Sequence, residues 1–170
     1  KKGCGKTSLA RVICNELGGE LIEKMAGEIL EVEQVVEIVN QINSSKSEIP
    51  VLFLDELHSI SPRIAELFYP IIEEFKINDK YVKPFVMIGG TTLRSVLLKK
   101  VAPMLDRMIS VELENYTEED LVNIIKQYHK NLFPERDIAE NNYKIIAQNA
   151  KFTPRIAIAL LESNIVEPDI

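Results

Sequence analysis

The chain has 170 residues, a net charge of −6 and two cysteines, Cys4 and Cys14. That length carries one domain with a real core, or one domain plus a small appendage. The acidic balance argues against a protein that coats nucleic acid through bulk charge. Two cysteines make no disulfide framework, so a reducing, cytoplasmic setting is expected. No apolar run has the length of a membrane span, and the N-terminus does not resemble a signal peptide.

In chain order, Gly3-Cys4-Gly5-Lys6-Thr7-Ser8 matches the end of the phosphate-loop pattern G-x-x-x-x-G-K-[ST], whose first glycine would precede Lys1. Glycines let backbone N–H groups turn inward around an anion, and the helix that follows presents its positive end to the same phosphates. Lys6 would reach the β- and γ-phosphates of ATP, and the Thr7 hydroxyl would hold Mg²⁺. A glycine-capped helix without a ligand would read the same way from this triplet.

Residues 6–17 predict a helix, with Leu9, Val12 and Ile13 on one face and Gly18-Gly19 as the stop. Residues 20–24 suggest a short strand, and 32–42 a helix with Val35, Val36, Val39 and Ile42 at helical spacing. Val51-Leu52-Phe53-Leu54 is an uninterrupted apolar run, as in a strand buried on both faces. It closes on Asp55-Glu56, and adjacent carboxylates at a strand end are costly unless something positive is near. In a phosphate-loop ATPase, Asp55 holds the Mg²⁺ and Glu56 polarises the attacking water.

Ser61-Pro62 is an N-cap followed by a first-turn proline, opening a helix toward Phe75. Asn78-Asp79 marks a turn in a small hairpin. Residues 85–88 suggest a second buried strand, running into Gly89-Gly90-Thr91-Thr92, and 109–113 a third. A Thr92 hydroxyl at the end of a parallel strand would orient the water or sense the γ-phosphate, though threonine's strand preference also accounts for it. Arg107 would pair with Asp106 or act as an arginine finger on a neighbour's ATP.

Thr117 to Asp120 has the form of a capping box for a helix to about 132, followed by helices at 138–150 and 153–161. Arg155 lies in a first turn, where the helix dipole disfavours a cation, which suggests a grip on phosphate. His58 and His129 are too isolated for a metal site and suit surface or core roles. Cys4 is read as non-catalytic, and Lys99-Lys100 as a solvated face. Strands alternating with helices, then helices alone, give an α/β fold with a parallel sheet followed by a small all-helical domain.

The segments GCGKTSLARVI, VLFLDELHSISPRIAELFYPIIEEF, PFVMIGGTTLRSVLL, APMLDR, YTEEDL and TPRIAIALL, in this order across nearly the whole chain, resemble the RuvB family of Holliday-junction branch-migration motors, which are AAA+ ATPases. The resemblance implies an AAA+ core at 1–115, with its first strand before Lys1, and a helical lid at 116–170. The family's winged-helix DNA-binding domain would follow Ile170. It implies that Gly3, Cys4, Gly5, Lys6, Thr7 and Ser8 form the Walker A loop on ATP, and that Thr7 and Asp55 serve Mg²⁺. Glu56 matches the Walker B base, Thr92 sensor 1, Arg107 the arginine finger and Arg155 sensor 2.

It implies a hexameric ring on duplex or four-way-junction DNA and a RuvA-like partner, with no membrane. Residues 76–83 are shorter than the hairpin that docks RuvA in the family. Met108 stands where the family has phenylalanine after Asp-Arg, and the stretch between Thr92 and Pro103 is longer than in the family. Two other readings stand beside this one: a different AAA+ machine, such as a clamp-loader-like subunit or a protein remodeller, and a scaffold that binds nucleotide without hydrolysing it.

Overall fold

A computed structural model describes residues 2–166 of the chain. They divide into two compact units, Lys6–Val111 and the described residues 2–5 with 112–166.

The first unit is built on a parallel sheet. Strands β1 (Leu21–Met25), β2 (Val51–Asp55) and β5 (Val86–Gly89) run parallel in the order β1-β2-β5. The register pairs Met25 with Asp55 and Leu54 with Gly89. Residues 51–54 are completely buried, because the central strand has a neighbour on each side and helices on its faces. Helix α1 (Lys6–Glu16) packs against β2.

Helix α2 (Val32–Ser44) buries Val35, Ile38, Val39 and Ile42, one stripe at helical spacing. Helix α3 (Pro62–Glu74) starts as its sequence predicts: the Ser61 hydroxyl accepts the Ile64 N–H at 3.3 Å, and Pro62 occupies the first turn. Its Ile64, Ala65, Phe68 and Ile71 join the α2 stripe in a core with Leu52, Leu54, Leu57 and Met104.

Between α3 and β5, strands β3 (Lys76–Ile77) and β4 (Lys80–Tyr81) form a hairpin. Asn78 and Asp79 both take positive φ, 47° and 60°, as a two-residue type I′ turn requires. Asparagine and aspartate are the residues that tolerate this conformation best after glycine.

Two differences from the sequence reading concern residues 93–113. Helix α4 (Arg94–Leu105) carries no clean apolar period and contains Pro103. It breaks at Val101 (φ −141°, ψ 42°), just ahead of that proline, and so leaves a weak periodic signal. The expected third strand at 109–113 is not a strand. Ile109 and Val111 stand 94% and 74% exposed, and no described strand pairs with them. Apolar alternation supplies strand preference, but a strand forms only where a ladder partner is in reach.

The second unit is helical: α5 (Glu118–Leu132), α6 (Glu140–Asn149) and α7 (Pro154–Val166). Thr117 and Asp120 close the expected capping box, each satisfying the other's backbone N–H. Leu121 and Ile125 of α5, Ile146 of α6 and Leu161 of α7 form its core. His129 is buried there, with Nδ1 2.5 Å from the Tyr143 hydroxyl, so of the surface and core roles expected it takes the core one.

Candidate functional site

Asp55 ends β2, and the chain must turn at once into a tight 3-10 turn at Leu57–Ser59. The turn is made at Glu56, which takes the left-handed conformation (φ 48°, ψ 47°). For a residue with a Cβ this costs on the order of 1 kcal/mol or more, and such strain persists where surrounding bonds impose it. Here they do. The Leu57 N–H donates to the Gly90 carbonyl at 2.7 Å, the Gly90 N–H donates to the Leu54 carbonyl at 2.8 Å, and the Ser59 N–H donates to the Glu56 carbonyl at 2.8 Å. Asp55 Oδ1 accepts the Glu56 N–H at 2.8 Å.

Gly90 explains its own identity. A Cβ there would lie 2.9 Å from Asp55 Oδ1 and 3.1 Å from the Phe53 ring. Only a bare backbone lets the loop after β5 approach the Asp55 carboxylate this closely.

Two side chains converge on Glu56. The Thr92 hydroxyl donates to Glu56 Oε2 at 3.4 Å, and His58 Nδ1 lies 3.3 Å from the same oxygen. His58 Nδ1 is also 3.1 Å from Thr91 Oγ1, which accepts the Leu93 N–H. The Lys100 ammonium donates to the His58 carbonyl at 3.3 Å. Asp55, Glu56 and Thr92 therefore come together as the sequence suggested.

His58, Thr91, Gly90 and Lys100 belong to the same cluster; the sequence reading places Gly90 and Thr91 in the segment leading to Thr92 but gives His58 and Lys100 no part in it. In sequence His58 reads only as too isolated for a metal site, with its partner Thr91 far along the chain, and Lys100 reads as a solvated face. The signal available was His58's position just beyond the acidic pair.

Helix α1 begins at Lys6, so Lys6, Thr7 and Ser8 form its first turn, where N–H groups have no intrahelical partner. Gly3 and Gly5, just ahead of it, have φ of 76° and 87°, open to glycine at little cost. In the helical unit a Cβ on Gly3 would lie 2.8 Å from Thr153 Cγ2 and 3.1 Å from Arg155 Cβ. A Cβ on Gly5 would lie 2.9 Å from the Tyr116 hydroxyl, which donates to the Cys4 carbonyl at 3.4 Å. Arg155 is thus a neighbour of Gly3. Cys4 is buried, its thiol directed at the Lys2 carbonyl, which suits packing rather than chemistry.

Arg107 stands apart from the acidic pair. Its Nε donates to Glu73 Oε1 of α3 at 2.6 Å, its NH1 donates to the Pro103 carbonyl, and its guanidinium lies 5.0 Å from the centre of the Tyr69 ring. Its carboxylate partner is Glu73, not Asp106, because the end of α4 turns the arginine back over α3.

No cluster of three or more His, Cys, Asp or Glu among the described residues could hold a metal by itself. The oxygen donors Thr7 and Asp55 suit Mg²⁺, which binds through one or two protein ligands and completes its shell with water and substrate phosphates. No helix among the described residues is long and apolar enough to cross a membrane.

At 30% identity, the solved Holliday-junction branch-migration motor RuvB of Thermotoga maritima aligns with a TM-score of 0.82, over 95% of this chain and 50% of that one. Curated relatives are the Holliday junction branch migration complex subunit RuvB of Pseudothermotoga lettingae, 36% identical over 94% of this chain and 48% of the relative, and that of Mycoplasma genitalium, 31% identical over 94% and 53%. The chain spans about half the length of the curated relatives it matches. The model of the ATPase family associated with various cellular activities matches residues 1–114. By that match, the chain belongs to the AAA family of ATPases.

Proposed function

We propose that this chain is the ATP-hydrolysing part of a RuvB-like motor that drives branch migration of Holliday junctions in recombination and repair. The observation that carries the reading is the acidic pair at the end of a fully buried strand, with the Thr92 hydroxyl on the Glu56 carboxylate. The similarity to RuvB proteins in sequence and fold supports the choice of motor.

Residues 1–115 form the nucleotide-binding core and 116–170 the lid. Lys6 and the Gly3–Ser8 backbone bind the ATP phosphates, and Thr7 and Asp55 hold Mg²⁺. When bound, Mg²⁺ neutralises charge on the β- and γ-phosphate oxygens. Glu56 takes the proton of the attacking water, and Thr92 keeps the Glu56 carboxylate turned toward it. Arg107 places positive charge beside the γ-phosphate of a neighbouring subunit in a hexameric ring, and Arg155 adds charge from the lid. DNA contact and a cytoplasmic setting follow from the same reading.

A second reading, another AAA+ machine without a RuvA-like partner, is favoured by the hairpin of β3 and β4, whose strands have two residues each. The experiment is ATP turnover and strand displacement by the full-length protein on a synthetic four-way junction. Junction-stimulated turnover with branch migration is expected. Turnover without migration on junctions, with or without a RuvA protein, sinks the motor reading and leaves the second. Nucleotide binding without turnover leaves only a nucleotide-gated scaffold.

A further inference from the structure

We propose that His58 is a positioning residue for Glu56, holding one carboxylate oxygen so that the other faces the attacking water. The inference rests on the reading of Glu56 as the group that polarises that water.

The backbone at Glu56 is fixed by its left-handed turn, but the side chain beyond Cβ has its own rotatable bonds. Two side-chain contacts hold it, Thr92 Oγ1 and His58 Nδ1, and both fall on Oε2. With Oε2 held, Oε1 is the oxygen presented to a water. An ionised carboxylate only accepts hydrogen bonds, so donation from His58 to Glu56 uses a proton on Nδ1. Nδ1 also lies 3.1 Å from Thr91 Oγ1, which accepts the Leu93 N–H. The proposal thus requires the Nδ1–H tautomer of His58.

The ring is itself anchored. His58 sits within the 3-10 turn whose ends are bonded, and Lys100 holds its carbonyl from α4. The His58 and Glu56 side chains are 16% and 21% exposed, so water screens the contact only in part. A base misplaced by even about 1 Å loses much of its rate advantage, and a donor on a rigid turn is the kind of support that prevents this.

The test uses the full-length protein and the variants His58→Ala, His58→Asn, Glu56→Gln and the double variant His58→Ala/Glu56→Gln. The asparagine amide N–H stands in for Nδ1–H. His58→Ala is expected to lower kcat about tenfold. KM and the affinity for a fluorescent non-hydrolysable ATP analogue should stay within about twofold. His58→Asn should recover most of kcat, and His58→Ala should add nothing in the Glu56→Gln background.

Imidazole ¹⁵N spectra without nucleotide should show the Nδ1–H tautomer, and its signals should shift in Glu56→Gln. An unchanged kcat in His58→Ala alongside a slow Glu56→Gln overturns the proposal and leaves the function reading intact. So does an equal loss in His58→Asn, a further loss in the double variant, or an Nε2–H tautomer. Normal turnover by Glu56→Gln removes the reading of Glu56 itself, and this proposal with it.

Discussion

The acidic end of β2 and the glycine turn ahead of α1 carry the two halves of the proposed chemistry, and they are built by opposite means. At β2 the work falls to side chains mounted on a buried strand: Asp55 and Glu56 are held by backbone N–H groups, Thr92 and His58. At Gly3 and Gly5 it falls to bare backbone in left-handed conformations, packed so closely on Thr153, Arg155 and Tyr116 that a single methyl does not fit. The first design tolerates exchange of one side chain for another of similar shape and shows the loss in rate. The second tolerates no side chain and shows the loss in stability.

Four variants sharpen or break this contrast. The largest effect is expected from Arg107→Ala, about a thousandfold in kcat of the assembled ring, the lower range for an arginine finger. Its contacts to Glu73 and Tyr69 are at the surface, so the melting temperature should hardly change. Mixing with Lys6→Ala subunits should restore part of the activity, and a mixture that stays inactive argues against action across subunits. Lys6→Ala comes next, with ATP affinity reduced on the order of 10- to 100-fold by titration and the fold kept.

Gly3→Ala belongs to the other half. The left-handed φ and the contact with Thr153 predict a loss of about 1–3 kcal/mol in denaturant unfolding. A neutral Gly3→Ala would erase the contrast.

The smallest effect lies farther into the helical unit, at Asp120. The Thr117 backbone N–H, then its hydroxyl, lower the Asp120 pKa below the ordinary carboxylate value. A lowered folded-state value means that its stabilising contribution is present near neutrality and lost as pH falls through and below the usual carboxylate range. The difference in melting temperature between the natural protein and Asp120→Asn should therefore shrink on acidification. A constant difference would mean that the charge has no part in the cap.

Much of this was legible because local chemistry and tertiary context agree. The run 51–54 could only be a buried strand, Ser61-Pro62 and Thr117-Asp120 announce their helices, and Asn78-Asp79 announces its turn. The sheet, the helical unit and the meeting of Asp55, Glu56 and Thr92 follow from such signals.

Elsewhere the deciding partner is remote in sequence. His58 gains its meaning from Thr91 beyond the end of the neighbouring strand β5, and Arg107 turns to Glu73 on α3 rather than to adjacent Asp106. Residues 109–113 have the alternation of a strand but no described ladder partner. In α4, Pro103 and the break at Val101 hide a helix from any count of apolar spacing.

Gly90 gives one N–H to Leu54 and takes another from Leu57, so a single residue stitches the loop after β5 to both sides of the acidic pair. Opening that stitch exposes two amides together and strips the support from the left-handed Glu56. The acidic pair therefore inherits the lifetime of the central sheet. It cannot loosen on the fast timescale of an ordinary surface loop, and its fluctuations belong to the slow, cooperative openings of the strand beneath it.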